Sequence, residues 1–350
     1  MISIGHWGTF DVENYGDLMF PLILEKELTK RLGVVSVTLA SPCGGRFQGQ
    51  PSRRIERIAR IGESEFVEQS IRFDAFVLGG GDIVRFDDQF LAEIYESSIG
   101  PVESAGIGAV FLRELGALAR IFPVFWNAPG VPHDFTPEQC GAVRDAVEHV
   151  NYLSVRDQAS KTRLERAGVE REVKIAPDTA FLLREIFPRG QLCSTIERLK
   201  ATGLFPRAGK TLCFHASFTS QSAEANIAQI LTRVLDLHPE LNVVMLPIGA
   251  CHGDRQTLGR IYGMMGGMIA RERTFFCDTR LDVEDITAMV ANSDFLASSS
   301  LHGNIAAWVY GVDSIILSLA PYSPSKLVEY AKWLERPLVT SAQDLLPAVD

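Results

Sequence analysis

Short apolar runs alternate with amphipathic stretches along most of the chain. "MISIGHWG" opens as a short strand, and a helical period follows in "DLMFPLILEKELTKRLG", closed by Gly33 at a C-cap position. "VVSVTLAS" predicts the next strand, "FDAFVLGGGDIV" a strand running into three glycines, and "FPVFWNAPGV" a strand followed by a turn. "YLSVRDQASKTRLERAGV" predicts a strand feeding a helix over residues 157–168. The pattern loosens between Arg184 and Gly209, where Pro188, Gly190, Pro206 and Gly209 act as breakers.

A second series starts at "KTLCFHASF" and continues with a helix over 223–237, a strand in "LNVVMLPIGA", a helix in "DRQTLGRIYGMM", a strand in "RTFFCD" and a helix in "VEDITAMVANS". Strands at 295–297 and 314–319 then enclose one more helix. Continuous apolar strands separated by helices mean parallel sheet covered on both faces. The expected fold class is α/β, with two doubly wound Rossmann-like domains over residues 1–190 and 205–322. Residues 323–350 are expected to form a C-terminal helix, around 323–334, and a tail placed to pack back across the junction. Ligands of open parallel sheets sit beyond the C-terminal strand ends, so a cleft faced by both domains is the expected site.

Composition narrows the partners. The 350 residues are 46% hydrophobic and 22% charged, enough apolar material for two cores. The net charge of −9 and the lack of a long basic tract argue against a nucleic-acid surface. An anionic ligand would need a local pocket of donors, because the overall field repels it. The six cysteines are scattered without zinc or redox spacing, which suits reduced thiols in a cytoplasmic protein. The start "MISIGHWGTF" lacks the features of a signal peptide, and no apolar run approaches a membrane span. Membrane contact is expected to be peripheral at most.

Polar residues at strand ends are the candidate chemistry. "SSSLHGN" lies between a strand and a helix, where unpaired backbone N–H groups and the helix dipole favour an anion. Ser299 and Ser300 add hydroxyls, Gly303 would let a ligand approach the backbone, and His302 would carry a proton near neutral pH. The rival reading makes one serine a helix cap. "VLGGGDIVRF" presents Gly80, Asp82 and Arg85 after a strand, without dinucleotide spacing, and a plain tight turn explains it equally well. In "NYGD", Asn14 and Asp17 could bind or deprotonate a hydroxyl, or Asp17 could cap the following helix. Arg156 in "SVRD" could grip a carboxylate or phosphate in a forked geometry, or pair with Asp157 or Asp178. His215, His252 and Asp254 follow two strands of the second domain, on the sheet edge expected for His302. No carboxylate–histidine cluster has metal-ligand spacing.

In order and over nearly the whole length, "NYGD", "VLGGGDI", "LSVRDQASKTRLERAGV" with "IAPDTAFLL", and "ASSSLHGNIAAWVYGVDSIIL" make the chain resemble the polysaccharide pyruvyl transferases. The resemblance implies two Rossmann-like domains of the GT-B glycosyltransferase type. It implies transfer of a pyruvyl group from phosphoenolpyruvate, a co-substrate with no further cofactor, onto two hydroxyls of a sugar. The product is a cyclic ketal, and phosphate leaves. The acceptor would be a saccharide or lipid-linked oligosaccharide of exopolysaccharide or cell-surface glycan synthesis, met at the inner face of the membrane if lipid-linked. Family members commonly carry a basic residue where this chain has Ser300, so the donor's charge must be met by Arg85, Arg156, Lys326 or helix N-termini. His302 is the expected proton-transferring group, His215 the reserve acid or base, and Asp17 the catalytic carboxylate that orients the acceptor hydroxyls with Asn14. Gly80 and Asp82 would line the acceptor side, and Ser299, Ser300 and Gly303 the donor side. The rivals are a nucleotide-sugar glycosyltransferase of the same fold and a non-catalytic glycan-binding relative, the latter favoured by Ser300.

Overall fold

The computed structural model describes residues 1–50, 52–99, 106–217, 220–319 and 325–345. The chain forms two compact units, Met1–Ala180 and Phe181–Asp350. The first contains strands β1 (Ile2–Trp7), β2 (Val35–Ser41), β3 (Gly45–Arg46), β4 (Arg54–Arg57), β5 (Ala75–Gly79), β6 (Val124–Asn127), β7 (Tyr152–Val155) and β8 (Lys174–Ile175). They form one sheet in the order β3-β4-β2-β1-β5-β6-β7-β8, parallel except for β3. Consecutive residues Phe76, Val77 and Leu78 point to opposite faces of β5 and all are buried, so helices cover both faces. Trp7, Phe76, Leu78, Phe111, Trp126 and Val155 belong to one continuous core.

The second unit holds β9 (Lys210–His215), β10 (Leu241–Met245), β11 (Thr274–Phe276), β12 (Phe295–Ser298), β13 (Asp313–Leu317) and β14 (Leu338–Val339). All pair in parallel, in the order β11-β10-β9-β12-β13-β14. Strand β9 therefore lies between β10 and β12, which decides what its C-terminal residue meets. No helix among the described residues is long and apolar enough to cross a membrane. None of the six cysteines is in a disulfide.

Three departures from the sequence pattern have local causes. The stretch expected to be loose contains the helix Arg189–Ala201, with Pro188 at its N-cap and Gly190 in its first turn. Both breakers are tolerated there, because first-turn N–H groups have no intrahelical partner. This helix packs in the second unit, where Thr195 bonds Glu284 and Arg198 pairs with Asp285. The helix Pro137–Val147 opens on a capping box, Thr136 with Gln139, that the apolar pattern did not reveal. Finally, the C-terminal helix is described as Ser325–Trp333, and β14 after it joins the second unit's sheet. Residues 320–324 and 346–350, included in the expected C-terminal segment or next to it, lie outside the described residues.

Candidate functional site

In the first unit, the adjacent strands β5, β6 and β7 bring three sequence-distant loops together. Arg156 follows β7, and its side chain is 1% exposed. It pairs with Asp82 after β5, with Asp178 at 3.4 Å and with Asp157 at 3.7 Å. The loop after β6 passes over this cluster at Gly130, where a Cβ would lie 2.2 Å from Asp82 Oδ1 and 2.9 Å from Arg156 Nε. Gly130 is thus held by close approach. Asp157 is also the N-cap of Gln158–Arg166, accepting from the Ser160 amide at 2.7 Å. Arg156 is thus surrounded by carboxylates, the pairing with Asp157 and Asp178 that its position also permitted, with Asp82 added.

Arg85 is likewise engaged. It is 8% exposed, forks onto the Asp87 carboxylate, and lies 4.4 Å over the Phe90 ring. Gly80 has φ +85, and a Cβ on it would lie 1.8 Å from Phe20. Its lack of a side chain serves a tight turn against that ring. Asn14, rather than Asp17, caps the helix Tyr15–Leu32, accepting from the Gly16 amide at 3.0 Å. Asp17 stands in the first turn, where the helix dipole favours a carboxylate, and its Oδ1 lies against the Gly81 backbone.

One carboxylate here escaped the sequence reading. Asp11 is 3% exposed and accepts from the Cys43 and Gly44 amides, both at 3.0 Å, and from the Tyr95 hydroxyl at 2.9 Å. Burial pushes its carboxyl up to about 7 against the opposing effect of these bonds. Only its tertiary surroundings distinguish it from an ordinary loop aspartate.

In the second unit, the C-terminal ends of β9, β10 and β12 converge as the sheet order requires. His215, the last residue of β9, is 2% exposed. Its Nε2 lies 2.6 Å from Asp254 Oδ2, beyond β10, and its Nδ1 lies 3.1 Å from Ser298 Oγ and 3.4 Å from Ser299 Oγ, at β12. Ser299 Oγ also accepts from the Ser217 amide at 3.0 Å. Ser300 is the N-cap of Leu301–Tyr310, accepting from the Gly303 amide at 3.2 Å. Asn304 supports the turn by donating to the carbonyls of Ser298 at 2.9 Å and Ser300 at 2.8 Å.

His302 is half-buried in the first turn of that helix, two residues from the Ser300 cap. At Gly303 a Cβ would lie 2.8 Å from Ile248 Cδ1 and 3.1 Å from Ser298 Oγ. The vacant side-chain space is filled by the protein's own loop after β10. Lys326 is half-buried in the first turn of Ser325–Trp333. His252 lies in the short turn Ala250–His252, separate from the His215 bonds. Among the described residues no group of three or more His, Cys, Asp or Glu could hold a metal ion. The described geometry thus gathers His215, Ser299, Ser300 and Asp254 in one unit, and Asp82 with Arg156 in the other.

Solved structures with the same fold share little sequence. UDP-GlcNAc 2-epimerase from Neisseria meningitidis, bound to UDP-GlcNAc, is 13% identical with a TM-score of 0.55, covering 100% of this chain and 90% of its own. The Methanocaldococcus jannaschii UDP-GlcNAc 2-epimerase is 12% identical with a TM-score of 0.58, covering 99% and 91%. Anabaena Alr3699/HepE in complex with UDP is 14% identical with a TM-score of 0.50, covering 99% and 88%. These likenesses establish the fold, that of the GT-B type proteins, and nothing about the ligand. No curated relative matches the sequence. Residues 14–321 match the family model described as polysaccharide pyruvyl transferase.

Proposed function

Because the chain belongs to the polysaccharide pyruvyl transferase family, a family of transferases, we propose that it moves the pyruvyl group of phosphoenolpyruvate onto two hydroxyls of a glycan sugar. The product is a cyclic ketal, and phosphate is released. One observation carries this reading: the family match runs through the stretch where Ser299, Ser300 and His302 stand together at a strand end and helix start. The setting is cytoplasmic, and a lipid-linked acceptor would bring the protein to the inner face of the membrane. No cofactor or metal enters the reading.

The chemistry has three demands. The methylene carbon must gain a proton, two sugar hydroxyls must lose theirs, and the departing phosphate must have its charge met. His302 is assigned the first, because an imidazole transfers protons in both directions near neutral pH. With Arg85 and Arg156 committed to carboxylates, the donor's charge falls to the helix start at Leu301 and His302, Ser299, Ser300 and Lys326. A serine cap in place of a basic side chain makes the amides of that helix start more important. Asp17 and Asn14 are assigned to the acceptor hydroxyls, although Asn14 also spends its side-chain oxygen on the helix cap.

The test is phosphate release from phosphoenolpyruvate with glycan acceptors. His302→Ala should lose about 10²–10⁴-fold in turnover, and near-native turnover would reduce His302 to packing. The UDP-bound structural neighbours motivate the alternative donor, a nucleotide sugar. Thermal shifts separate the two, since a ligand that binds only the fold raises the melting temperature. Stabilisation by nucleotide sugars and not by phosphoenolpyruvate would replace the proposed donor. Saccharide binding with no phosphate release would indicate a non-catalytic relative.

A further inference from the structure

We infer that Asp254, His215 and Ser299 form a proton relay in the second unit, which carries one of the two hydroxyl protons released in ketal formation. The substrate half of this inference rests on the function proposed above. The relay itself rests on geometry.

Donor accounting sets the tautomer. Asp254 is fully buried, and its Oδ2 already accepts from the Gly249 amide at 2.6 Å and the Ile248 amide at 3.3 Å. An ionised carboxylate holding two amides has only lone pairs to offer, so the hydrogen in its 2.6 Å contact with His215 comes from Nε2. The ring hydrogen is therefore on Nε2, which leaves Nδ1 as an acceptor facing the two serine hydroxyls. Ser298 is sealed at 0% exposed and takes the Ser300 amide at 3.0 Å. Ser299 is half-buried, so it is the hydroxyl that a ligand can meet. Carboxylate, imidazole and accessible hydroxyl thus follow one another, Ser299 Oγ at 3.4 Å from Nδ1 beside the nearer, sealed Ser298 Oγ at 3.1 Å, with the imidazole shielded from water. A buried imidazole with a carboxylate behind it can accept a proton because the imidazolium is held in place.

The step balances as follows. An acceptor hydroxyl gives its proton to Ser299 Oγ as its O–H electrons form the new bond to the ketal carbon. The Ser299 hydroxyl proton passes to His215 Nδ1, giving an imidazolium held by Asp254. That proton returns along the same path to the departing phosphate. His302 donates the proton that turns the methylene into a methyl group, and recovers one from the second hydroxyl. Asp254 acts only through His215 and is a positioning residue.

Two measurements on the full chain test this. In protein labelled with ¹⁵N-histidine, His215 should show the Nε2–H tautomer with a strongly deshielded proton that disappears in Asp254→Asn. An Nδ1–H tautomer would overturn the relay, whatever the substrate. In the phosphate-release assay, Asp254→Asn and Ser299→Ala should each lower kcat about 10²-fold or more, with the KM for phosphoenolpyruvate within about threefold of native in Asp254→Asn, whose side chain meets no ligand, and raised in Ser299→Ala, which also loses a donor contact. Their combination should cost no more than the worse single change, because members of one relay act as a unit. Retained kcat in Ser299→Ala, or multiplying losses in the double variant, would overturn the relay's role. Ser299→Ala takes away the acceptor of the Ser217 amide and should lower the melting temperature slightly, but it should keep the His215 tautomer, which is set by Asp254 and separates a relay defect from misfolding. A native chain that never releases phosphate would overturn the ketal reading and the assigned proton source, while the tautomer measurement still decides the relay.

Discussion

Replacing Arg156 with methionine distinguishes a ligand-gripping guanidinium from a structural hub. Methionine retains much of the length and removes the charge. It leaves Asp82, Asp157 and Asp178 facing one another, with side chains 18%, 6% and 1% exposed. Removing one partner of a buried ion pair costs about 3–5 kcal/mol, because the remaining charge is neither hydrated nor paired. Asp157 and Asp178 keep the Ser160 and Ala180 amides as donors and Asp82 is partly exposed, which keeps this site inside that range although three carboxylates lose a cation. For a unit of this size each kcal/mol corresponds to about 2–4 °C, so its melting temperature should fall by roughly 6–20 °C. Calorimetry gives the transition, and the fluorescence of Trp7 and Trp126, both buried in the first unit, adds a probe there. Asp178→Asn should destabilise the native protein yet restore part of the loss in Arg156→Met, since it removes one of the negative charges left facing one another. An unchanged melting temperature together with a sharply raised KM for phosphoenolpyruvate would refute the hub and return Arg156 to the donor.

Gly303→Ala should be mildly destabilising despite the better helix propensity of alanine, about 1 kcal/mol, because overpacking against Ile248 Cδ1 costs about 1–3 kcal/mol. Ile248→Val removes that methyl and should rescue it in denaturant melts; no rescue would mean that the helix shifts to make room. Gly80→Ala combines a left-handed backbone with a clash on Phe20 and should cost more than Gly303→Ala, a ranking checked by the same melts. Stability against pH should carry two opposed contributions from the first unit. Burial holds His6 down at about 3, so on acidification from pH 6.5 the unfolded chain takes a proton that the fold refuses, and stability falls. Burial lifts Asp11 to about 7, so as pH rises from about 4 the unfolded chain ionises first, and stability falls in that direction. Asp11→Asn should therefore leave stability rising with pH between 4 and 6.5, read from urea midpoints, and a profile parallel to the native one would show that Asp11 is ionised in the fold.

The alternation of apolar runs with helical periods determined the α/β class, because buried parallel strands and their covering helices are local patterns of period and length. It also placed Asn14, Asp82, Arg156, His215 and His302 at strand ends, where such sheets carry their chemistry. The side of each contest over those residues was decided only by tertiary structure. Asp82 and Arg156 are 74 positions apart, and they meet because β5, β6 and β7 are neighbours in the sheet. Gly303 reads in sequence as space for a ligand, yet Ile248, from a loop 55 positions away, occupies that space. Asp254 was put by the sequence just past a strand, on the same sheet edge as His215, with nothing to say what it would bond. It became the partner of His215 because β9 runs between β10 and β12, which sets a carboxylate on one side of the imidazole and two serines on the other. Residue type and period are properties of near neighbours along the chain, whereas hydrogen-bond partners follow from strand order, and strand order is settled by the packing of the whole sheet.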